Sequence, residues 1–113
     1  MAKILLAEDD ATMISLLKTL LKMEEFDVLA LDVNSDVPAA VQREKPQALF
    51  MDVHLGGQSG VKILETIRKN EDLADIRIIM TSGLNMKDEC LSLGANAFLM
   101  KPFMPDDLLN LLK

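Results

Sequence analysis

Short runs of consecutive apolar residues alternate along this chain with longer stretches in which apolar residues recur every three or four positions. The runs lie at about Lys3 to Ala7, Asp27 to Leu31, Ala48 to Met51, Arg77 to Met80 and Ala97 to Met100. Runs this short, mostly without polar alternation, fit strands buried on both faces. The stretches between them read as helices. The first runs from near Ala11 to Glu24, with Ile14, Leu17 and Leu21 on one face. Ser35-Asp36-Val37-Pro38 offers cap chemistry and a first-turn proline for a short second helix, which Lys45-Pro46 stops after about Glu44. Gly56, Gly57 and Gly60 mark a loop, and a third helix follows from Ser59 or Gly60 to Lys69. Its buried set is Val61, Leu64 and Ile67, or Ile63 and Ile67. A fourth helix covers roughly Asn85 to Leu93 and stops at Gly94; a fifth begins near Pro105.

Five strand–helix repeats predict an α/β fold: a (βα)5, flavodoxin-like doubly wound sandwich with a five-stranded parallel sheet in the order 2-1-3-4-5, one domain over residues 1–113. In such a sheet ligands bind beyond the carboxyl ends of the strands, where the order reverses between strands 1 and 3. Four of the runs end on polar groups: Glu8-Asp9-Asp10, Asp52, Thr81 and Lys101. Carboxylates crowded at one edge repel one another, and a cation among them relieves the repulsion. An oxygen-only ligand set points to Mg²⁺. A carboxylate can attack phosphorus to form an acyl phosphate while an ammonium and a hydroxyl hold the other phosphoryl oxygens. Asp52, Lys101 and Thr81 fit those roles. Taken singly, each has an ordinary reading, since an acid after a strand also serves as a loop residue or helix cap and a lysine as a solvated charge.

Composition narrows the function classes. Of the 113 residues, 50% are hydrophobic, enough for one sizeable core. A net charge of −6 with scattered Lys and Arg opposes nucleic-acid phosphates, and the lack of Trp and Tyr removes most base-stacking platforms. No run approaches the roughly 20 apolar residues of a membrane span, and Met1-Ala2-Lys3-Ile4 does not read as a signal peptide. The expectation is a cytoplasmic protein with no direct nucleic-acid or membrane partner. The single cysteine, Cys90, sits in an apolar helical stretch and reads as a packed thiol.

The full chain resembles a response regulator receiver domain of the single-domain chemotaxis type. The resemblance rests on Ile4-Leu5-Leu6-Ala7-Glu8-Asp9-Asp10, on Leu49-Phe50-Met51-Asp52 followed by Gly60, on Ile79-Met80-Thr81-Ser82, and on Gly94-Ala95, Phe98 and Lys101-Pro102-Phe103. It implies that Asp52 accepts a phosphoryl group from a phosphohistidine on a sensor histidine kinase or phosphotransfer protein. It also implies that Asp9, Asp52 and the His54 backbone carbonyl bind Mg²⁺, with Glu8 acting through water, while Asp10 reads more as a helix-entry residue than as a ligand. Lys101 would contact the phosphoryl group or Asp52, and the Lys101-Pro102 bond is expected cis. Thr81 and Phe98 would form the switch, read out on the surface of helix 4, strand 5 and helix 5 by a downstream protein, a fused output domain or a second copy of the chain.

Four positions depart from the family pattern. Glu8 stands where Asp is usual, Phe98 where Tyr is commoner, and His54 lies two residues past the acceptor, beside the path of an attacking water. Gly56 replaces a usual proline, which predicts a less rigid loop over the site. Ser82 is small enough to leave the phosphoryl group accessible. The methionines at 13, 23, 80, 86, 100 and 104 read mostly as core filler, with Met86, Met104 and the helix 5 leucines as an alternative partner surface. Two other functions compete: a small phosphatase with Asp52 as nucleophile, which would want an acid where His54 stands, and an unphosphorylated pseudo-receiver. A nucleotide-binding module is disfavoured because Gly56-Gly57-Gln58-Ser59-Gly60 lacks the Walker arrangement. The chain reads either as a stand-alone regulator or as a domain cut from a longer protein, and the short fifth helix closing on Leu111-Leu112-Lys113 leans toward the second.

Overall fold

The computed structural model describes residues 2–113. Five strands, β1 (Lys3–Ala7), β2 (Asp27–Ala30), β3 (Ala48–Asp52), β6 (Arg77–Ser82) and β7 (Ala97–Met100), pair in parallel in the order β2-β1-β3-β6-β7. This is the predicted 2-1-3-4-5 arrangement. Two-residue strands β4 (His54–Leu55) and β5 (Gln58–Ser59) form a separate antiparallel ladder in the loop after β3. That ladder was not expected, because two residues on each side carry no periodicity to read.

The helices are α1 (Ala11–Met23), α2 (Val37–Glu44), α3 (Gly60–Arg68), α4 (Lys87–Ser92) and α5 (Pro105–Leu112), with a 3-10 turn at Glu71–Leu73. Local chemistry sets their starts. Asp10 caps α1 by accepting from Thr12 N (3.0 Å) and Met13 N (3.2 Å), Asp36 caps α2 through Ala39 N (3.1 Å), and Ser59 caps α3 through Lys62 N (3.3 Å). α2 ends on Lys45 in the left-handed region, one residue before Pro46. α4 has only six residues and no side-chain cap, and of its residues only Cys90 is buried.

Alternation along the central strands divides the core in two. Leu5, Ala7, Leu49, Met51, Ile78 and Met80 face one layer with α2, α3 and α4, whereas Ile4, Leu6, Ala48, Phe50 and Ile79 face the layer of α1 and α5. Ile63, Leu64 and Ile67 are buried in α3, and Val61 packs at the rim. Three of the methionines read as filler are exposed instead: Met23, Met100 and Met104. Leu108, Leu109 and Leu112 of α5 are buried, so they belong to the core and leave only half-buried Leu111 for a surface. Among the described residues no helix is long and apolar enough to cross a membrane.

Candidate functional site

The central strands stop in register, which brings their last residues together. β3 ends at Asp52, whose Cα partner across the ladder is Thr81 of β6, and Thr81 pairs in turn with Leu99 of β7. Lys101 follows β7 directly, tied by its backbone N–H to Ser82 O at 2.8 Å, and precedes a cis bond to Pro102 as expected. On the other side of β3, β1 runs into Glu8, Asp9 and Asp10. The sheet thus gathers residues 8, 9, 52, 81 and 101 at one edge.

Glu8 is wholly buried, and its Oε1 accepts from the backbone N–H groups of Asp9 (3.0 Å) and Asp10 (3.2 Å). Its other oxygen, Oε2, lies 2.9 Å from Lys101 Nζ, yet the contact is not aligned as a hydrogen bond and the oxygen has no other donor. Asp52, also buried, accepts from His54 N at 2.8 Å through Oδ1 and from Lys101 Nζ at 2.5 Å through Oδ2. One carboxylate oxygen each from Glu8, Asp9 and Asp52 lies within 4.8 Å of the others. Three carboxylates against the one ammonium that reaches two of them leave a local charge of −2. A divalent cation would cancel that charge, and the poorly satisfied Glu8 oxygen is the kind of donor such an ion completes. The residues therefore fit Mg²⁺.

The titration shifts follow from this crowding. Burial raises the Glu8 carboxyl above its ordinary value, the Asp52 charge adds to it, and attraction to the nearby Lys101 ammonium only partly opposes them. Burial alone would lower Lys101, but its bond to Asp52 and the negative charge of Glu8 outweigh burial and hold the ammonium above the ordinary lysine value. Lys101 is therefore a fixed positive charge at neutral pH, although its side chain is a quarter exposed.

The remaining expected residues divide by location. Thr81 is buried beside Asp52, with its hydroxyl donated to Leu99 O at 2.7 Å and therefore not directed at the acids. Phe98 is half-buried and packs with the α2, α3 and α4 layer, one position out of phase with Thr81 and so on the other face of the sheet. His54 is exposed, and its imidazole is not in the acid cluster. Asp10 is the α1 cap, in keeping with its reading as a helix-entry residue and not a ligand. Ser82 is buried and accepts from Leu84 N at 3.1 Å. Cys90 is a buried thiol whose pKa burial pushes up, consistent with packing.

Two glycines act differently from the sequence expectation. Gly56 sits at φ +57° and its N–H faces Asp9 Oδ2 at 3.4 Å. Proline can supply neither that φ nor an N–H, so the loop has a distinct turn and is not simply a slackened form of a proline loop. Gly60, read as a loop marker, a possible start of the third helix and part of the motif after Asp52, is a close-approach residue. A Cβ there would lie 2.3 Å from Asp52 O and 2.9 Å from Val53 Cα, and its N–H donates to Val53 O at 2.6 Å. The start of α3 is thereby pressed onto the backbone of Asp52. A glycine opening an otherwise regular helical pattern is the signal that pointed there.

Comparison with known proteins agrees with this geometry. The profile of the response regulator receiver domain family matches residues 4–113. The phosphate regulon transcriptional regulatory protein PhoB of Pseudomonas aeruginosa is 28% identical over 113 residues, covering 97% of this chain and 49% of that protein. The chain thus spans about half the length of the curated relatives it matches. A provisional response regulator from Chloroflexus aurantiacus superposes with a TM-score of 0.90 at 25% identity, covering 99% of this chain and 94% of that one. The receiver domain of a Pseudomonas aeruginosa sensor histidine kinase, solved with a magnesium ion in its active-site cleft, superposes with a TM-score of 0.85 at 26% identity, over 98% and 93% of the two chains.

Proposed function

The chain belongs to the response regulator receiver domain family, the signalling domains of two-component systems, and on that footing we propose that residues 1–113 form one receiver unit whose phosphoacceptor is Asp52. The observation that carries this reading is the placement of Asp52 at the meeting point of the site, bonded to Lys101 on one oxygen and to the His54 amide on the other, with Glu8 and Asp9 beside it. A carboxylate oxygen of Asp52 attacks phosphorus, the phosphorus–nitrogen bond of a phosphohistidine donor breaks, and the imidazole leaves with the bonding pair. Attack of water on the acyl phosphate later returns the free carboxylate and inorganic phosphate.

Each neighbour has a defined part in that transfer. Glu8 and Asp9, with Asp52 and the His54 carbonyl, would hold Mg²⁺, which neutralises negative charge on the phosphoryl oxygens when bound. Glu8, anchored by two backbone amides, would act through a water. Lys101 already spans Asp52 and Glu8 and would pair with a phosphoryl oxygen without a large displacement. Thr81 would exchange its bond to Leu99 O for one to the phosphoryl group. That bond is one tie between β6 and β7 beside the ladder itself, so its release would loosen the strand end next to Phe98.

Phe98 also lines a groove of about 440 Å³ between α4, β7 and α5, together with Leu91, Leu99 and Leu111. A change at Phe98 would reshape a surface that a partner protein, a fused output domain or a second copy of the chain reads. The expected donor is a sensor histidine kinase or phosphotransfer protein, and the expected location is the cytoplasm. The test is intact-mass measurement after incubation with Mg²⁺ and acetyl phosphate. The wild-type chain gains one phosphoryl group, and Asp52→Asn gains none; an adduct of equal yield on Asp52→Asn would overturn the assignment.

A further inference from the structure

The β4–β5 ladder on the rim of the site is tied to a neighbouring loop through Gln58. The Gln58 amide nitrogen donates to two backbone carbonyls of the β2–α2 loop, Val33 O at 2.7 Å and Ser35 O at 3.1 Å. Two acceptors converging on one side-chain end require the nitrogen, not the oxygen, to face them, and use both of its N–H groups. The loop that offers these carbonyls is itself held in shape. Asp32 accepts from Asn34 N through its side chain (2.8 Å) and from Ser35 N through its carbonyl (2.9 Å), and Val33 packs on the core. Gln58 therefore fastens a short ladder to a prefolded turn.

The ladder delivers that anchoring to the acids. Its first residue, His54, donates its amide to Asp52 Oδ1, and its turn residue, Gly56, where a Cβ would lie 3.3 Å from the Val33 side chain, presents its N–H to Asp9 Oδ2. Gln58 pairs with Leu55 midway between those two contacts. We propose that Gln58 is a positioning residue for the metal side of the site: its amide holds the β4–β5 turn so that the His54 and Gly56 amides orient Asp52 and Asp9 and the His54 carbonyl is kept at the ion. Gln58 touches neither the ion nor the phosphoryl group. The inference rests on the receiver reading above and adds to it a residue whose action passes through the backbone of a neighbouring loop.

The test compares the wild-type chain with Gln58→Met, which keeps the length and removes both donors, and Gln58→Glu, which sets an anionic acceptor against two carbonyls. Mg²⁺ is titrated into each protein and binding is followed by the amide NMR signals of His54 and Gly56, independently of phosphorylation. The Mg²⁺ dissociation constant is expected to rise roughly fivefold in Gln58→Met, the equilibrium factor of about one net hydrogen bond, and further in Gln58→Glu. Labelling by acetyl phosphate should then need more Mg²⁺ for half-maximal rate, while the rate at saturating Mg²⁺ stays close to wild type. An unchanged Mg²⁺ affinity in Gln58→Met overturns the proposal, as does a lower saturated rate with unchanged Mg²⁺ dependence, which is what general loosening would give. If Gln58→Glu does not fold, Gln58→Met decides alone. A wild-type chain that binds Mg²⁺ but takes no phosphoryl group overturns the acceptor reading and leaves the positioning of the ion standing on the titration.

Discussion

The two edges of the one parallel sheet handle polar groups in opposite ways. At the carboxyl edge, Glu8, Asp52, Thr81 and Lys101 are drawn into or against the core, three carboxylates face one ammonium, and a buried oxygen of Glu8 has no aligned donor. At the amino edge, bonds are made and shared. Arg68 at the end of α3 donates to Gly94 O and to Asn96 Oδ1, both at 2.8 Å, and the same Asn96 oxygen accepts from Ile78 N at 2.7 Å. Lys3 and Glu44 form a surface pair at 2.9 Å, joined by Arg43 at 3.1 Å. One edge is closed and contributes to holding the fold; the other keeps unsatisfied valence that a cation and a phosphoryl group can complete.

The difference can be broken most sharply at Gly60. Gly60→Ala forces a methyl into the backbone of Asp52 and Val53, and urea unfolding should show a loss of more than about 3 kcal/mol together with loss of phosphoryl labelling. An unchanged midpoint would mean that the close approach is not required. Lys101→Met comes next. It leaves the buried Glu8 and Asp52 carboxylates without their counter-charge, and the metal-free protein should lose roughly 2–4 kcal/mol. Thermal melts with chelator and with Mg²⁺ should differ more for this variant than for wild type, because the added cation supplies the missing charge.

At the closed edge the effects should be smaller and indifferent to Mg²⁺. Arg68→Met removes donors to Gly94 O and Asn96 Oδ1 and should cost about 1–2 kcal/mol in urea unfolding, equally with and without Mg²⁺. A Mg²⁺-dependent loss would show that the two edges communicate. The smallest effect belongs to Glu44→Gln. The bond from Lys3 is the main cause of a lowered Glu44 carboxyl, so the folded chain binds that proton less tightly than the unfolded chain. The pair's contribution is present above the ordinary glutamate value and is lost as pH falls through the lowered one. The pair lies at the surface, where solvent screens it, so melting at neutral pH should be nearly unchanged, with a slightly flatter acid limb.

Much of the carboxyl edge was legible because strand-length apolar runs mark their own ends. Ile4 to Ala7 and Ala48 to Met51 are buried throughout, so the acids after them had to emerge at one edge once the sheet was parallel. Lys101 and Thr81 were found by the same logic. The register of Phe98 against Met80, which sets it on the face opposite Thr81, needed the paired strands. The exposed methionines at 23, 100 and 104 were misjudged because periodicity gives a face without saying whether another element covers it. Gly56 was read through the freedom it adds to the loop, and the folded backbone adds a left-handed turn whose N–H faces Asp9.

Residue type and near-neighbour spacing were enough for the succession of strands and helices, the helix entry at Asp10, the cap chemistry at Asp36 and the set of charges that reach the carboxyl edge. Only the tertiary structure decided that Lys101 bonds to Asp52 across 49 positions, that Gln58 grips carbonyls 23 and 25 positions away, and that one oxygen of Glu8 is left without a donor. Those are properties of distance and direction between groups far apart in the chain, and no local pattern encodes which donor meets which acceptor when the layers close.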